Sequence, residues 1–134
     1  LEKCFILAGN EFEGGRTPLE ATLSWLIHWD HEFIGKEAIL KQKEKGYYDR
    51  LTCLECIDKG IPRHGCEIQK DGKPVGIVTS GTLSPCLNKG IAMGYVRHDS
   101  REPGSELDIM VREKPVKAKV IKPPFVPKDW ASKN

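Results

Sequence analysis

The sequence predicts a mainly β protein: an antiparallel, six-stranded, jelly-roll-like barrel preceded by a mixed α/β segment. Three observations carry that expectation. Thirteen glycines and nine prolines in 134 residues fall mostly between short stretches rich in Val, Ile, Leu and Tyr, which is the punctuation of β structure. Beyond Gly46 those stretches recur at spacings of roughly 8 to 15 residues with no helical pattern between them. Asp71-Gly72 between two of them is a two-residue hairpin turn, because both of its positions need positive φ.

The first 46 residues read differently. Gly9-Asn10 and Gly14-Gly15 signal turns. Thr17-Pro18-Leu19-Glu20 supplies an N-cap hydroxyl, a proline at the first helical position and a glutamate where a capping box places one, so a short helix is expected to start there. Residues 35–45 are helix formers with Ile34, Ala38 and Ile39 on one face and Glu37 four before Lys41, giving an amphipathic helix that Gly46 stops.

The period then changes to two. Leu51, Cys53 and Glu55 point one way and Thr52, Leu54 and Cys56 the other, a strand whose buried face the pattern leaves open. Further strands are expected at 66–70, 74–79, 91–97, 106–112 and 116–122, with Lys114-Pro115 turning the last hairpin. Pro123-Pro124-Phe125-Val126-Pro127 is extended, since proline disfavours helix in the residue before it.

Composition bounds the function. A hydrophobic fraction of 39% with a charged fraction of 30% supports one core, and no run approaches the ~18 to 20 apolar residues that spanning a bilayer requires. Net charge is +2, with 21 basic and 19 acidic residues mixed along the chain, so neither nucleic acid nor membrane is an expected partner. The start, Leu1-Glu2-Lys3-Cys4-Phe5, lacks the features of a secretory signal, and the absence of Met suggests a beginning inside something larger or a trimmed end. Five cysteines, an odd number without regular spacing, favour a reducing, cytoplasmic or matrix-like compartment.

Searches for chemistry give lures with weak support. Cys53-Leu-Glu-Cys56, with Cys66 and Cys86 beyond it, has a zinc-like pair, but on an extended strand positions i and i+3 face opposite ways. His28 and His31 flank Trp29-Asp30 without a third ligand at a suitable spacing. His64 sits in the turn Gly60-Ile-Pro-Arg-His-Gly65. Ser80 and Ser84 lack a nucleophile elbow, and no glycine-rich stretch ends in the Gly-Lys-Ser/Thr of a phosphate loop. The expectation is no catalytic residue and no metal site within the chain.

The stretches Thr17-Pro-Leu-Glu-Ala21 with Leu23-Ser-Trp25, Phe33-Ile-Gly-Lys-Glu-Ala38, Gly60-Ile-Pro-Arg-His-Gly65, Val75-Gly-Ile-Val-Thr-Ser-Gly-Thr82, Lys89-Gly-Ile-Ala-Met-Gly-Tyr-Val96 and Pro124-Phe-Val-Pro127, together with Leu1-Glu2 and Gly9-Asn10, occur in one order over nearly the whole chain. In these the chain resembles the carboxy-terminal part of aminomethyltransferase, the T-protein of the glycine cleavage system. The resemblance implies a three-domain protein whose first two domains hold tetrahydrofolate in a central channel. Residues 1–46 would end the folate-binding region, 47–126 form the barrel and 127–134 an extended tail. The family transfers the aminomethyl group carried on the lipoyl arm of H-protein to tetrahydrofolate and releases ammonia. Its catalytic aspartate and most folate contacts lie upstream, so this chain is expected to be inactive alone.

The same resemblance puts Trp130 where the family has a tail tyrosine against the substrate pocket, exchanging a hydroxyl for an indole N–H, and puts Phe5 in the strand that lines the channel. Both are candidate cofactor-binding residues. Departures are visible: Lys3-Cys4 replace a frequent Ala-Gly, Ala8 replaces a frequent Tyr, and Cys66 and Cys86 replace commoner residues. They leave open a folate-dependent demethylase of the sarcosine or dimethylglycine type, and a non-catalytic scaffold barrel.

Overall fold

A computed structural model describes residues 1–127. Six strands, β1 Arg50–Cys56, β2 Glu67–Lys70, β3 Lys73–Ser84, β4 Lys89–Val96, β5 Glu106–Val111 and β6 Lys114–Ile121, close into an antiparallel barrel in the order β1-β4-β3-β2-β5-β6. Closure follows from β1, which pairs with β4 along one edge (Cys53 opposite Met93) and with β6 along the other (Leu54 opposite Val120), so that neither sheet edge is left open.

Alternation builds the interior. On β6, Val116, Ala118 and Val120 are buried while Lys117 and Lys119 face water. They meet Leu54, Cys56, Ile68, Val78, Ala92, Leu107 and Ile109 in one apolar cluster. Asp71 (φ 52) and Gly72 (φ 73) form the two-residue hairpin between Lys70 and Lys73.

The face that β1 buries has a double answer. Leu54 and Cys56 enter the barrel, yet Leu51 and Cys53 are buried as well, in a second cluster with Ile91, Met93, Tyr95 and Phe125. That outer cluster exists because residues 1–6 and the segment around Phe125 lie over the outside of β1 and β4.

Four expectations need correction. The last hairpin turns at Arg112 (φ 50) and Glu113 (φ 65), and Lys114-Pro115 lie inside β6 opposite Val111 and Met110. Two residues with side chains accept the left-handed region there, which no turn composition announced. The helix expected at Thr17 does not propagate. Both halves of its capping box form, with the Thr17 N–H donating to Glu20 Oε2 (3.0 Å) and the Glu20 N–H to Thr17 Oγ1 (3.3 Å), but Thr22 at φ 61 ends the turn after one circuit. A 3-10 turn, Ser24–Leu26, follows.

The third concerns the amphipathic helix. Helix α1, Lys36–Lys45, ends at Gly46 as expected, but none of its residues is buried and Ile34 stands fully in solvent. Its apolar stripe meets no core within the described residues. Last, the segment before Arg50 holds no strand among the described residues, so it is turns and helix instead of mixed α/β.

Glu20 shows how the N-terminal turn is held. Burial raises its carboxyl, but the Thr17 N–H and hydroxyl and the Arg16 guanidinium (2.9 Å) outweigh that and leave it below its ordinary value of 4.5. A depressed carboxyl stabilises the fold above the ordinary value, and that contribution is lost as pH falls through the lowered one. Glu20→Gln is expected to cost roughly 1 kcal/mol at neutral pH and to flatten the acid limb of the stability profile, measured by urea unfolding between pH 3 and 7. An unchanged acid limb would contradict this account.

Candidate binding cleft

The N-terminal residues are strapped to the barrel by polar groups. Glu2 accepts hydrogen bonds from the Ser84 hydroxyl and from the Cys86 N–H (3.1 Å), and its backbone oxygen accepts from the Val126 N–H (3.1 Å). Lys3 Nζ donates to Pro127 O at 2.5 Å. Further along, Glu11 is wholly buried. Its Oε1 accepts from Thr79 Oγ1 (2.8 Å) and Ser80 Oγ (2.6 Å), and its Oε2 from the Leu7 N–H (2.7 Å). Tyr95 Oη donates to the backbone oxygen of Glu11 at 2.7 Å, with the Arg16 guanidinium 4.1 Å above the tyrosine ring. Burial pushes the Tyr95 phenol up to about 12.

Between this strap and the outer face of β1 and β6 lies a cleft of about 860 Å³. Phe5 and Trp25 wall it on one side and Leu51, Cys53 and Ile121 on the other. Arg50, Arg101, Lys3 and Lys122 bring positive charge to its lining, and Glu102 is the one carboxylate among the lining residues. The Arg50 Nε is buried without a hydrogen-bond partner. Burial, and then the neighbouring charge of Arg50, lowers the Arg101 guanidinium from its usual value, although Arg101 Nη1 donates to Tyr48 O (3.1 Å).

Cys4 and Cys53 meet in the same cleft, Sγ to Sγ at 3.4 Å. The hydrogen bond shared with Cys53 holds the Cys4 thiol down to about 7 against the effect of burial, with a backbone contact from Phe125 helping. The same contact, reinforced by burial, pushes the Cys53 thiol up.

The residues singled out in the sequence fall as follows. Phe5 is 71% exposed over the cleft. Trp130 lies outside the described residues. Cys56 packs inside the barrel while Cys53 lies outside it, the opposite-face arrangement that alternation requires. Cys66 packs against the interior cluster and Cys86 is exposed. The His28 and His31 rings meet edge to face, 6.2 Å between centroids. His64 Nδ1 is 2.7 Å from Thr79 O, tying its loop to β3. Ser80 and Ser84 serve Glu11 and Glu2, respectively.

Sequence reasoning missed Arg50, Arg101 and the Cys4–Cys53 pairing. The arginines stand at a strand start and in a loop, positions without a motif; the cysteines are 49 apart in sequence. The replacement of a family glycine at Cys4 was the only local signal.

Residues 50–127 match the family described as "Glycine cleavage T-protein C-terminal barrel domain". A probable aminomethyltransferase of Thermococcus kodakarensis is 45% identical over 134 residues, an alignment taking in 93% of this chain and 34% of the relative. An aminomethyltransferase of Desulforamulus reducens is 48% identical over 125 residues, covering 92% of this chain and 34% of its own length. The crystal structure of glycine cleavage system aminomethyltransferase T from Bartonella henselae superposes with a TM-score of 0.85 at 29% identity, over 93% of this chain and 36% of that one. The chain spans about a third of the length of the curated relatives it matches.

Proposed function

Because the chain belongs to the glycine cleavage T-protein C-terminal barrel family, we propose that it is the C-terminal part of a tetrahydrofolate-dependent aminomethyltransferase. In this reading the aminomethyl group arrives on the lipoyl arm of H-protein, passes to tetrahydrofolate, and ammonia leaves. The barrel and its strap wall the binding space, while the reactive acid belongs to the enzyme's other domains. Working in the cytoplasm, or in the mitochondrial matrix of a eukaryote, suits cysteines that form no disulfide among the described residues. Among the described residues no helix is long and apolar enough to cross a membrane.

The observation that carries the reading is the cleft itself. Its volume of about 860 Å³ lies within the range of small-molecule sites, and its lining joins aromatic surface at Phe5 and Trp25 to guanidinium charge at Arg50 and Arg101. That pairing fits a ligand with a flat ring at one end and carboxylates at the other, as tetrahydrofolate has. When bound, the folate supplies the nitrogens that accept the one-carbon unit. With a single carboxylate, Glu102, in the lining, the cleft offers positioning groups and no paired acid and base. Trp130, in the place of the family tyrosine, is proposed as a second aromatic contact to the folate.

Calorimetry tests this. A polypeptide that includes the upstream region is expected to bind tetrahydrofolate at least about tenfold more tightly than the 134-residue chain, since the chain supplies one wall. In the longer polypeptide Phe5→Ala is expected to weaken binding roughly tenfold, the scale of one lost aromatic contact. Equal affinity for the two polypeptides, or turnover of methylamine-loaded H-protein by the 134-residue chain, would refute the proposal.

A further inference from the structure

We propose that Cys4 and Cys53 form a peroxide-reactive dithiol site in which Cys4 attacks the oxidant and Cys53 resolves the product into an intramolecular disulfide. The inference is independent of the folate reading. It rests on the two sulfurs lying 3.4 Å apart although their residues are 49 apart in sequence. Cys4 holds its place at φ 57, in the left-handed region that favours glycine, so the backbone presents a thiol where a residue without a side chain would sit more easily.

The other thiols are arranged differently. Cys56 and Cys66 belong to the barrel interior, and Cys86 is exposed beside Glu2. Cys4 and Cys53 line the cleft, Cys4 partly exposed and Cys53 buried, so a small oxidant entering it meets Cys4 first. The charged groups around that cleft are Lys3, Arg50, Arg101 and Lys122, with Glu102 as the one acid among the lining residues. Exposure divides the roles, since Cys4 is partly exposed and Cys53 is buried, and the hydrogen bond between them acts in the same sense, holding the Cys4 thiol below its ordinary value and pushing the Cys53 thiol above it.

The chemistry balances with hydrogen peroxide as the oxidant. The Cys4 thiolate attacks one peroxide oxygen, the O–O bond breaks, and hydroxide leaves to take a proton and become water. Cys4 is then a sulfenic acid. Cys53 loses its proton and attacks the Cys4 sulfur, the S–O bond breaks, and the departing hydroxide takes that proton as a second water. Two thiols are oxidised by two electrons and one peroxide is reduced. The disulfide would tie the strap to β1 across the floor of the cleft, beside Phe5.

The test treats the protein with one equivalent of hydrogen peroxide and maps its peptides without reduction. A Cys4–Cys53 linked peptide is expected, reversed by dithiothreitol, with an unfolding midpoint about 5 to 10 °C higher in the oxidised form. In Cys53→Ser the link is lost and Cys4 is captured as a sulfenic acid by dimedone. Alkylation of Cys4 by iodoacetamide is expected to titrate with a midpoint of about 7 in the unmodified protein and to move toward the ordinary 9.0 in Cys53→Ala, which removes the hydrogen-bonding partner. Cys4→Gly, which suits the backbone at that position, keeps the fold and loses the link and its added stability. Peroxide that links other cysteines while Cys4 and Cys53 stay reduced would overturn the proposal. So would a Cys4 titration unchanged by Cys53→Ala.

Discussion

Gly90→Ala is expected to destabilise the barrel by about 3 kcal/mol, at the upper end of overpacking costs, because the new methyl has nowhere to go. A Cβ at Gly90 would stand 2.2 Å from the backbone oxygen of Gly60, 2.9 Å from Cys56 Sγ and 3.0 Å from Pro62 Cδ. The first neighbour is main chain, so no side-chain rotation relieves it. The loop 60–65 would have to lift. That loop is otherwise seated on β3, with the Gly65 N–H donating to Val78 O (2.9 Å) and His64 Nδ1 against Thr79 O. Urea unfolding should show a lower midpoint at unchanged slope, and hydrogen exchange at Gly65 should quicken more than at the buried strands β4 and β6. A stability loss under about 0.5 kcal/mol would mean that the loop does not press on β4 as the structure has it.

Glu11→Ala should cost a similar roughly 3 kcal/mol, by a different route. The carboxylate is wholly buried and accepts from two hydroxyls and one backbone N–H. Removing it leaves the Leu7 N–H without that acceptor, while Thr79 keeps Met93 O at 3.1 Å. Glu11→Gln should be milder, about 1 to 2 kcal/mol, since one amide oxygen can still accept from Thr79 and Ser80 while its NH2 then faces the Leu7 N–H, donor against donor. Because residues 7–11 anchor the strap that carries Cys4 and Phe5, limited proteolysis near Gly9 to Gly15 should accelerate in the same order, Ala above Gln above the unmodified protein. Equal protease resistance in all three would separate Glu11 from the anchoring of the strap.

The barrel was legible from local pattern because its strands obey local rules. Alternation on β6 and the Asp71-Gly72 turn are fixed by neighbours along the chain, and five of the expected strands fall on observed ones within a residue or two, with β3 running on to Ser84. The last hairpin was misplaced because Arg112 and Glu113 adopt positive φ without a turn residue to announce it. The capping box at Thr17 was legible, and its failure to grow into a helix was not, since a single residue, Thr22, leaves the helical region.

For the candidate site the division is sharper. Family motifs drew attention to Phe5 and Trp130, and the structure places Phe5 over the cleft while Trp130 lies outside the described residues. Sequence by itself determined the strand count, the antiparallel order of the hairpins and the separation of Cys53 from Cys56 onto opposite faces, because each depends on a period of two and on short turns. Tertiary structure alone decided that β1 is buried on both faces, that Glu11 is sealed against Thr79 and Ser80, and that Cys4 meets Cys53. Those contacts join residues 49 to 69 positions apart, and no local propensity encodes which distant surface a strap will cover; the packing of the outer cluster does.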